Sequence, residues 1–250
     1  MKVREHAETP VPAGPDGRAV QRMFSEIAHR YDFLNHFLSV SIDRRWRRVA
    51  SARMKVLTKA HPDSVYLDLC SGTGDLALEL HRRLGSQIVS SDFCHPMLSR
   101  AESKIRAAGL QNAIRTVEAD AQSVPFRDQS FDGVTVAFGL RNLEDRVRGV
   151  EEMYRVLKPG GALIILEFSK PVVPVFREAF QFYFQNILPR LGAWISGQGS
   201  AYRYLPESVG KFLTQAELAA MMSVVGFRDV QYQNLSGGIA ALHWGTKAQV

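Results

Sequence analysis

Apolar residues fall in short runs that alternate with helically spaced stretches over most of the chain. Val65–Leu69, Gln87–Ser91, Ala113–Val117, Phe131–Phe138 and Ala162–Phe168 have strand length and composition. Between them, Asp75–Leu84, Pro96–Ala108 and Asp145–Leu157 carry helical spacing. That alternation predicts an α/β fold with a mostly parallel sheet. Upstream, Ala19–Ser39 reads as a helix with Met23, Phe24, Ile27, Tyr31, Leu34 and Leu38 on one side, and a basic helix follows from Asp43 to Thr58. Lys158-Pro159-Gly160-Gly161 reads as a helix stop and turn. Thr214–Val225 reads as a last helix. Phe227–Leu235 and Gly238–Thr246 then read as two strands around a tight Ser236-Gly237 turn, an antiparallel hairpin.

One stretch interrupts this order. From Phe176 to Ile195, apolar residues recur at intervals of three, one and four, opposite Arg177, Glu178, Gln181, Gln185, Asn186 and Arg190. Pro189 is expected to kink the helix. An aromatic amphipathic helix is more often core than membrane contact. As an insertion in the strand order, this one is expected to roof a site. The chain then divides into a flexible leader at 1–18 and a single domain at 19–250. Within that domain, 19–60 forms an N-terminal helical cap and 171–213 a helical insertion or lid. The leader carries three prolines, two glycines and no apolar block, which does not suit a signal peptide.

Composition narrows the class. With 46% apolar residues in 250, a sizeable core is available, and no run approaches the roughly 18 apolar residues of a spanning helix. The net charge of +6 is partly concentrated in Asp43-Arg44-Arg45-Trp46-Arg47-Arg48, with Arg53 and Lys55 beyond. Such a stripe suits nucleic acid, anionic lipid or simply a solvated helix face, and no nucleic-acid-binding motif accompanies it. Cys70 and Cys94 form no CxxC and no metal spacing, so they read as reduced cytoplasmic thiols. No His/Asp cluster has ligand spacing, and no metal is expected.

The chemistry concentrates at strand ends. Val65-Tyr66-Leu67-Asp68-Leu69-Cys70-Ser71-Gly72-Thr73-Gly74-Asp75 is a strand, a glycine turn and a helix start. Glycines let the backbone approach a ligand, and the helix start offers free N–H groups. Asp92 closes the next run, 92 − 68 = 24 residues later. That spacing suits paired ribose hydroxyls. Gly72-x-Gly74-x-x-Ala77 also satisfies a loose dinucleotide fingerprint. However, Asp68 and Asp75 flank the turn, and acids repel a pyrophosphate. They suit a ligand with an ammonium and a sulfonium centre. In this the segment resembles methyltransferases that use S-adenosylmethionine. Asp120-Ala121 follows the third strand. Asp120 suits the adenine amino group and the Ala121 N–H a ring nitrogen, with Phe93 and Met97 over the ring face. A turn acid is the other reading of Asp120.

Several longer strings extend the likeness. Tyr31-Asp32-x-x-Asn35 precedes Arg45-Trp46, and Phe138-Gly139-Leu140-Arg141-Asn142 follows the fourth strand. Then come Tyr154-Arg155-Val156-Leu157-Lys158-Pro159-Gly160-Gly161, Leu166-Glu167-Phe168-Ser169 and Tyr202-x-Tyr204-Leu205-Pro206-x-Ser208. Gly237-Gly238-Ile239 with His243 and Gly245 closes the pattern. Across nearly its whole length the chain resembles the C-methyltransferases of menaquinone and ubiquinone biosynthesis. The resemblance implies a Rossmann-like seven-stranded methyltransferase sheet. It implies S-adenosylmethionine as methyl donor, with the family's contacts falling on Thr73, Asp92, Asp120 and Ala121; the residue pattern adds Asp68, Gly72, Gly74 and Phe93 as candidate contacts, and Ala137 is a further candidate position. Ala137 stands where the family often has Ser, and Ser41 and Asp43 stand where it usually has Gly and His.

The implied substrate is a polyprenyl quinol, either demethylmenaquinol or a methoxy-polyprenyl-benzoquinol; another lipid is a further reading. A quinol hydroxyl has a pKa of about 10 by analogy with tyrosine. Once ionised, its ring carbon attacks the sulfonium methyl. Arg141 is the candidate for favouring the anion, or is an ion-pair partner of Glu144 or Asp145. Asn142, Tyr204 and His243 are candidates for orienting hydroxyls, with His243 a base or a core residue. A cytoplasmic protein is expected, with peripheral contact to anionic lipid on the inner face of the membrane and a homodimer as one assembly. No nucleic-acid partner is expected.

Overall fold

A computed structural model describes residues 11–30, 42–172 and 200–249. The Phe176–Ile195 stripe and the Tyr31-Asp32-x-x-Asn35 string lie outside them. Strands β1 (Val65–Leu69), β2 (Gln87–Asp92), β3 (Ile114–Glu118), β4 (Phe131–Ala137), β5 (Leu157–Phe168), β6 (Arg228–Leu235) and β7 (Ala240–Thr246) form one sheet. Its order is β3-β2-β1-β4-β5-β7-β6. β3 to β5 pair in parallel through β1, whereas β7 runs antiparallel to both β5 and β6. The seven-stranded, mostly parallel α/β sheet with a C-terminal antiparallel pair is therefore present. The chain winds outward from β1 in one direction and from β4 in the other. The crevice between their carboxyl ends is the switch point where such sheets bind ligands.

Helices cover both faces. On one face, α2 (Ile42–Thr58) and α3 (Asp75–Leu84) bury Trp46, Met54, Leu76 and Leu80 against Tyr66, Ile164 and Leu242. α4 (His95–Ala107) adds Ala101 and Ile105. On the other face, α5 (Arg146–Val156) and α7 (Gln215–Val225) bury Val150, Met153, Leu218 and Met222 against Leu67, Val134 and Leu163. Tyr66 and Leu67 face opposite layers because successive strand residues alternate. α1 (Gly17–Ile27) and α6 (Ser200–Gly210) lie apart from these layers, near the carboxyl ends of the strands.

Helix starts carry side-chain caps. Asp16 caps α1, Asp145 accepts from the Arg148 N–H at the start of α5, and Thr214 and Glu217 close a reciprocal capping box on α7.

Three boundaries differ from the expectation. α1 ends at Ile27 and tightens into a 3₁₀ turn over Ala28–Arg30. The Lys-Pro-Gly-Gly stretch is not a turn after a helix: α5 passes directly into β5, and residues 158–161 bulge from it. Phe131 pairs with Leu157 and Gly133 with Ala162, so β5 carries the extra residues. Distant backbone holds the bulge. Gly160, at φ +74°, donates to the Lys247 carbonyl at 2.9 Å, and the Lys247 N–H donates to Gly161 at 2.8 Å. The third difference is the β6–β7 connection, a 3₁₀ turn over Ser236–Gly238 rather than a two-residue turn. Leu235 pairs with Ala240, which leaves four residues between them.

Gly133 marks where α2 presses closest on the sheet. A Cβ there meets Met54 Sδ at 2.5 Å and the Tyr66 ring at 2.8 Å. Gly133→Ala is expected to lower stability by about 1–3 kcal/mol through overpacking, measured by urea unfolding. An unchanged midpoint means that Met54 swings aside without cost.

Candidate active site

The glycine turn after β1 uses three residues in the left-handed region: Cys70 at φ +52°, Gly72 at +56° and Gly74 at +81°. Gly74 lies against Ala101 of α4, where a Cβ would approach to 3.1 Å, so only glycine suits both the φ and the space. Asp92, the last residue of β2, holds this turn. Its Oδ2 accepts from the Gly72 N–H at 2.8 Å and its Oδ1 from the Cys94 N–H at 2.9 Å. Burial pushes the Asp92 carboxyl up to about 6, against the pull of those N–H groups.

A cavity of about 450 Å³ opens beside this clamp. Gly72 and Asp92 line it on one side, Phe93 and Met97 on another. Asp120, Ala121 and Gln122 contribute from the β3 end, and Ala137, Phe138, Gly139 and Asn142 from the β4 end. Asp120 is also a turn acid, since its Oδ1 accepts from the Gln122 N–H at 2.9 Å. Its turn reading is met in the structure, and the residue also lines the cavity. The arrangement fits an adenosine ligand: an acid clamp for two hydroxyls, apolar side chains for a ring face and a polar loop for a ring edge.

Other candidate contacts sit behind the wall. Asp68 is 1% exposed, accepts from Thr135 Oγ1 at 2.7 Å, and has an Oδ2 without a partner. Burial raises it to about 7. An orphaned buried carboxylate oxygen fits a nearby cationic ligand group. Asp75, by contrast, does not carry that role in this structure. It pairs with Lys104 and has Arg47 at 4.0 Å, so its charge is met within the protein. Thr73 is buried, with the Lys104 ammonium 3.3 Å from its hydroxyl, and is not among the lining residues.

The proposed catalytic residues divide. Tyr204 donates to Asn142 Oδ1 at 2.7 Å, which joins α6 to a cavity residue. Arg141 sits on the 3₁₀ turn Leu140–Asn142, is 5% exposed and is not among the lining residues. Its partner is neither Glu144 nor Asp145 but Glu167, at the end of β5. The guanidinium donates to Glu167 Oε1 at 2.8 Å, and the Arg141 backbone N–H to Oε2 at 3.2 Å. The guanidinium also donates to the Phe138 carbonyl. His243 lies in the core beneath α7. Its Nε2 is 2.9 Å from the Gln215 carbonyl, its ring packs against Tyr232, and its Nδ1 has no partner. Burial lowers it to about 4, so it is neutral at neutral pH.

The N-terminal helix was expected as part of a helical cap, but its cavity-lining residues and the strap before it were not. Gly17, Arg18, Gln21 and Phe24 of α1 line the cavity. Residues 12–14, expected as part of the leader, form a strap. Gly14 donates to the Glu144 carbonyl at 2.8 Å, and Arg146 donates to Pro12 at 3.0 Å. Gln21 donates to the Phe93 carbonyl at 2.7 Å, which seats α1 on the loop after β2. Only the helical apolar stripe containing Phe24 hinted at this.

Comparison with known proteins identifies the family. The ubiE/COQ5 methyltransferase family matches residues 14–247. A demethylmenaquinone methyltransferase of Deinococcus radiodurans is 47% identical, covering 96% of this chain and 99% of that one. A ubiquinone/menaquinone biosynthesis C-methyltransferase UbiE of Geotalea daltonii is 44% identical, covering 92% and 97%. Among solved structures, the 4+2 cyclase SpnF superposes with a TM-score of 0.71 at 16% identity, covering 97% of this chain and 100% of that one. That likeness concerns the fold alone.

His243 gives a stability signature. Its folded pKa of about 4 lies below the unfolded value of 6.5. Its contribution is therefore complete above pH 6.5 and is lost as pH falls toward 4, by about 3 kcal/mol at most. The raised Asp68 and Asp92 act in the opposite direction. The difference in stability between wild type and His243→Gln isolates the histidine and is expected to shrink as pH falls from 7 to 4. A difference independent of pH in urea unfolding contradicts burial of the neutral ring.

Proposed function

Because this chain belongs to the ubiE/COQ5 methyltransferase family, we propose that it methylates a ring carbon of a polyprenyl quinol with S-adenosylmethionine as donor. Demethylmenaquinol to menaquinol is the preferred substrate pair, from the name of the Deinococcus relative. The name of the Geotalea relative keeps the methoxy-polyprenyl-benzoquinol as a second acceptor. The observation that carries the cofactor reading is the Asp92 clamp on Gly72 at the wall of the cavity.

Bound, the cofactor supplies an electrophilic methyl on a positively charged sulfur. Asp92 would accept from the ribose hydroxyls, Asp120 and Ala121 would meet the adenine edge, and Phe93 and Met97 would cover its face. The orphaned Asp68 Oδ2 would balance positive charge on the methionine portion. On the acceptor side, Asn142, oriented by Tyr204, would position a quinol hydroxyl, and Arg141 would favour its ionised form. In the transfer one carbon–carbon bond forms, the methyl–sulfur bond breaks and the ring carbon releases a proton. Charge fades as anion and cation combine, so apolar walls such as Phe138 favour the reaction by excluding water.

Delivery of a membrane-soluble acceptor calls for a surface contact. Among the described residues no helix is long and apolar enough to cross a membrane. Arg44, Arg45, Arg48 and Lys55 are exposed along α2, whereas Asp43, Trp46 and Arg47 are buried. This face would contact anionic lipid peripherally at the inner surface of the cell membrane. The 171–213 segment would serve as the roof over the acceptor. A homodimer is compatible with this arrangement.

Incubation with labelled S-adenosylmethionine and reduced demethylmenaquinone, followed by mass analysis, is expected to show one added methyl; an unlabelled quinone rejects the reading. Cofactor affinity is expected to rise about tenfold from pH 5 to pH 7, as Asp92, at about 6, ionises. Calorimetry measures this, and Asp92→Ala is expected to lose both most of the affinity and the pH dependence. Flotation with anionic vesicles is expected at low salt and to fail at high salt. Binding indifferent to salt removes the α2 surface from consideration.

A further inference from the structure

Arg146, the first residue of α5, is 3% exposed, yet among the described residues it has no carboxylate within ion-pair distance. Its Nη1 donates to the Pro12 carbonyl at 3.0 Å and its Nη2 to the Arg141 carbonyl at 3.1 Å, while Nε has no partner. The guanidinium lies over the Phe212 ring, 5.3 Å from its centre. Glu167 is already engaged by Arg141. Among the buried groups, two guanidinium groups thus stand against one carboxylate that only Arg141 contacts, which leaves about one uncompensated positive charge behind Asn142. Placement in the first turn of α5 adds to this surplus, because that end of a helix is itself positive.

The other nearby acids, Glu144 and Asp145, are nearer to solvent than Arg146 and Glu167, so water screens their charge more strongly than that of the buried cluster. Tyr204 on α6 is held protonated by burial and donates to Asn142. The Asp145 carboxylate accepts from the Arg148 N–H. On the strap and α1, Asp16 and Arg18 carry opposite charges at the cavity wall. Glu144 also lines the cavity, but there it faces Gly17 on the α1 side.

We propose that the Arg141–Glu167–Arg146 cluster sets the ionisation of the acceptor hydroxyl. Glu167 is a positioning residue that fixes Arg141 and cancels its charge. Arg146 supplies the net positive charge felt at the Asn142–Tyr204 end of the cavity. The inference rests on the quinol reading above and assigns an electrostatic role to two residues that have no contact with the cavity. Favouring the anion lowers the pH at which the acceptor releases its proton to solvent.

Two substitutions of opposite sign test it. Arg146→Met removes the surplus charge, and the acid limb of log kcat/KM for reduced demethylmenaquinone is expected to move up by about one pH unit. Glu167→Gln adds to the surplus, and the same limb is expected to move down by a similar amount. Arg146→Lys keeps the charge but not the planar fork, so its profile is expected to match wild type even where its rate falls. S-adenosylmethionine binding by calorimetry reports folding. If Arg146→Met no longer binds the cofactor, the direction of the Glu167→Gln shift decides the matter. A merely structural role lowers rates in both variants without opposite shifts. Unmoved limbs, shifts of the same sign, or an Arg146→Lys profile that follows Arg146→Met overturn the proposal. A wild type that transfers no methyl to the quinol removes the functional reading, and the proposal with it. An active wild type with unmoved variants removes the proposal alone.

Discussion

Buried negative charge at the carboxyl edge of the sheet is the constraint around which the rest is arranged. Asp68, Asp92 and Glu167 stand at or near the ends of β1, β2 and β5, each less than a tenth exposed. Taking a carboxylate out of water is costly unless donors replace the lost hydration. Each is met differently. Asp92 takes two backbone N–H groups, which requires the glycine turn to fold back on it. Glu167 takes the Arg141 guanidinium and backbone N–H, which fixes the 3₁₀ turn after β4. Asp68 takes one hydroxyl and keeps one oxygen unmet. The two satisfied acids fix loops, whereas Asp68, raised to about 7 by burial, is partly relieved of its charge by protonation at neutral pH.

This edge was legible in the sequence where local pattern and chemistry coincide. Asp92 and Asp120 were identified because each follows a short apolar run, and strand ends are where such sheets bind. The seven strands followed from run length and the glycine and proline punctuation between them. What failed depends on distant partners. Gly160 and Gly161 signal a turn locally, but their hydrogen bonds go to Lys247, 87 residues beyond Gly160, and the stretch becomes a bulge inside β5. Asp75 looked like a ligand acid because Lys104, on α4, is invisible from the glycine turn. His243 stands in a strand whose neighbours on the sheet, not its own residues, decide that its ring faces Gln215. Glu167 appeared only as a letter in a string, since its role needs the partner on the turn after β4.

Lys247 shows the same dependence on distant partners at the opposite edge of the sheet. Its ammonium donates to the Tyr154 and Leu157 carbonyls at 2.9 Å each, at the end of α5. A cation there meets carbonyls that have no helical partner and the negative end of the helix. The C-terminal segment thus closes the end of α5 opposite to the one that carries Arg146.

The cavity wall formed by α1 differs in kind from the others. The sheet-side walls are continuous with the core, whereas α1 and its strap reach the body through hydrogen bonds at Pro12, Gly14 and Gln21, a contact between Ser25 and Cys94, and a small apolar cluster of Phe24 and Ala28 with Phe93, Cys94 and Met97. Each such bond adds only about 1 kcal/mol net. One wall of the cavity is thus built from the residues nearest the start of the described chain, and its position depends on contacts made outside the sheet's own hydrogen-bond ladder.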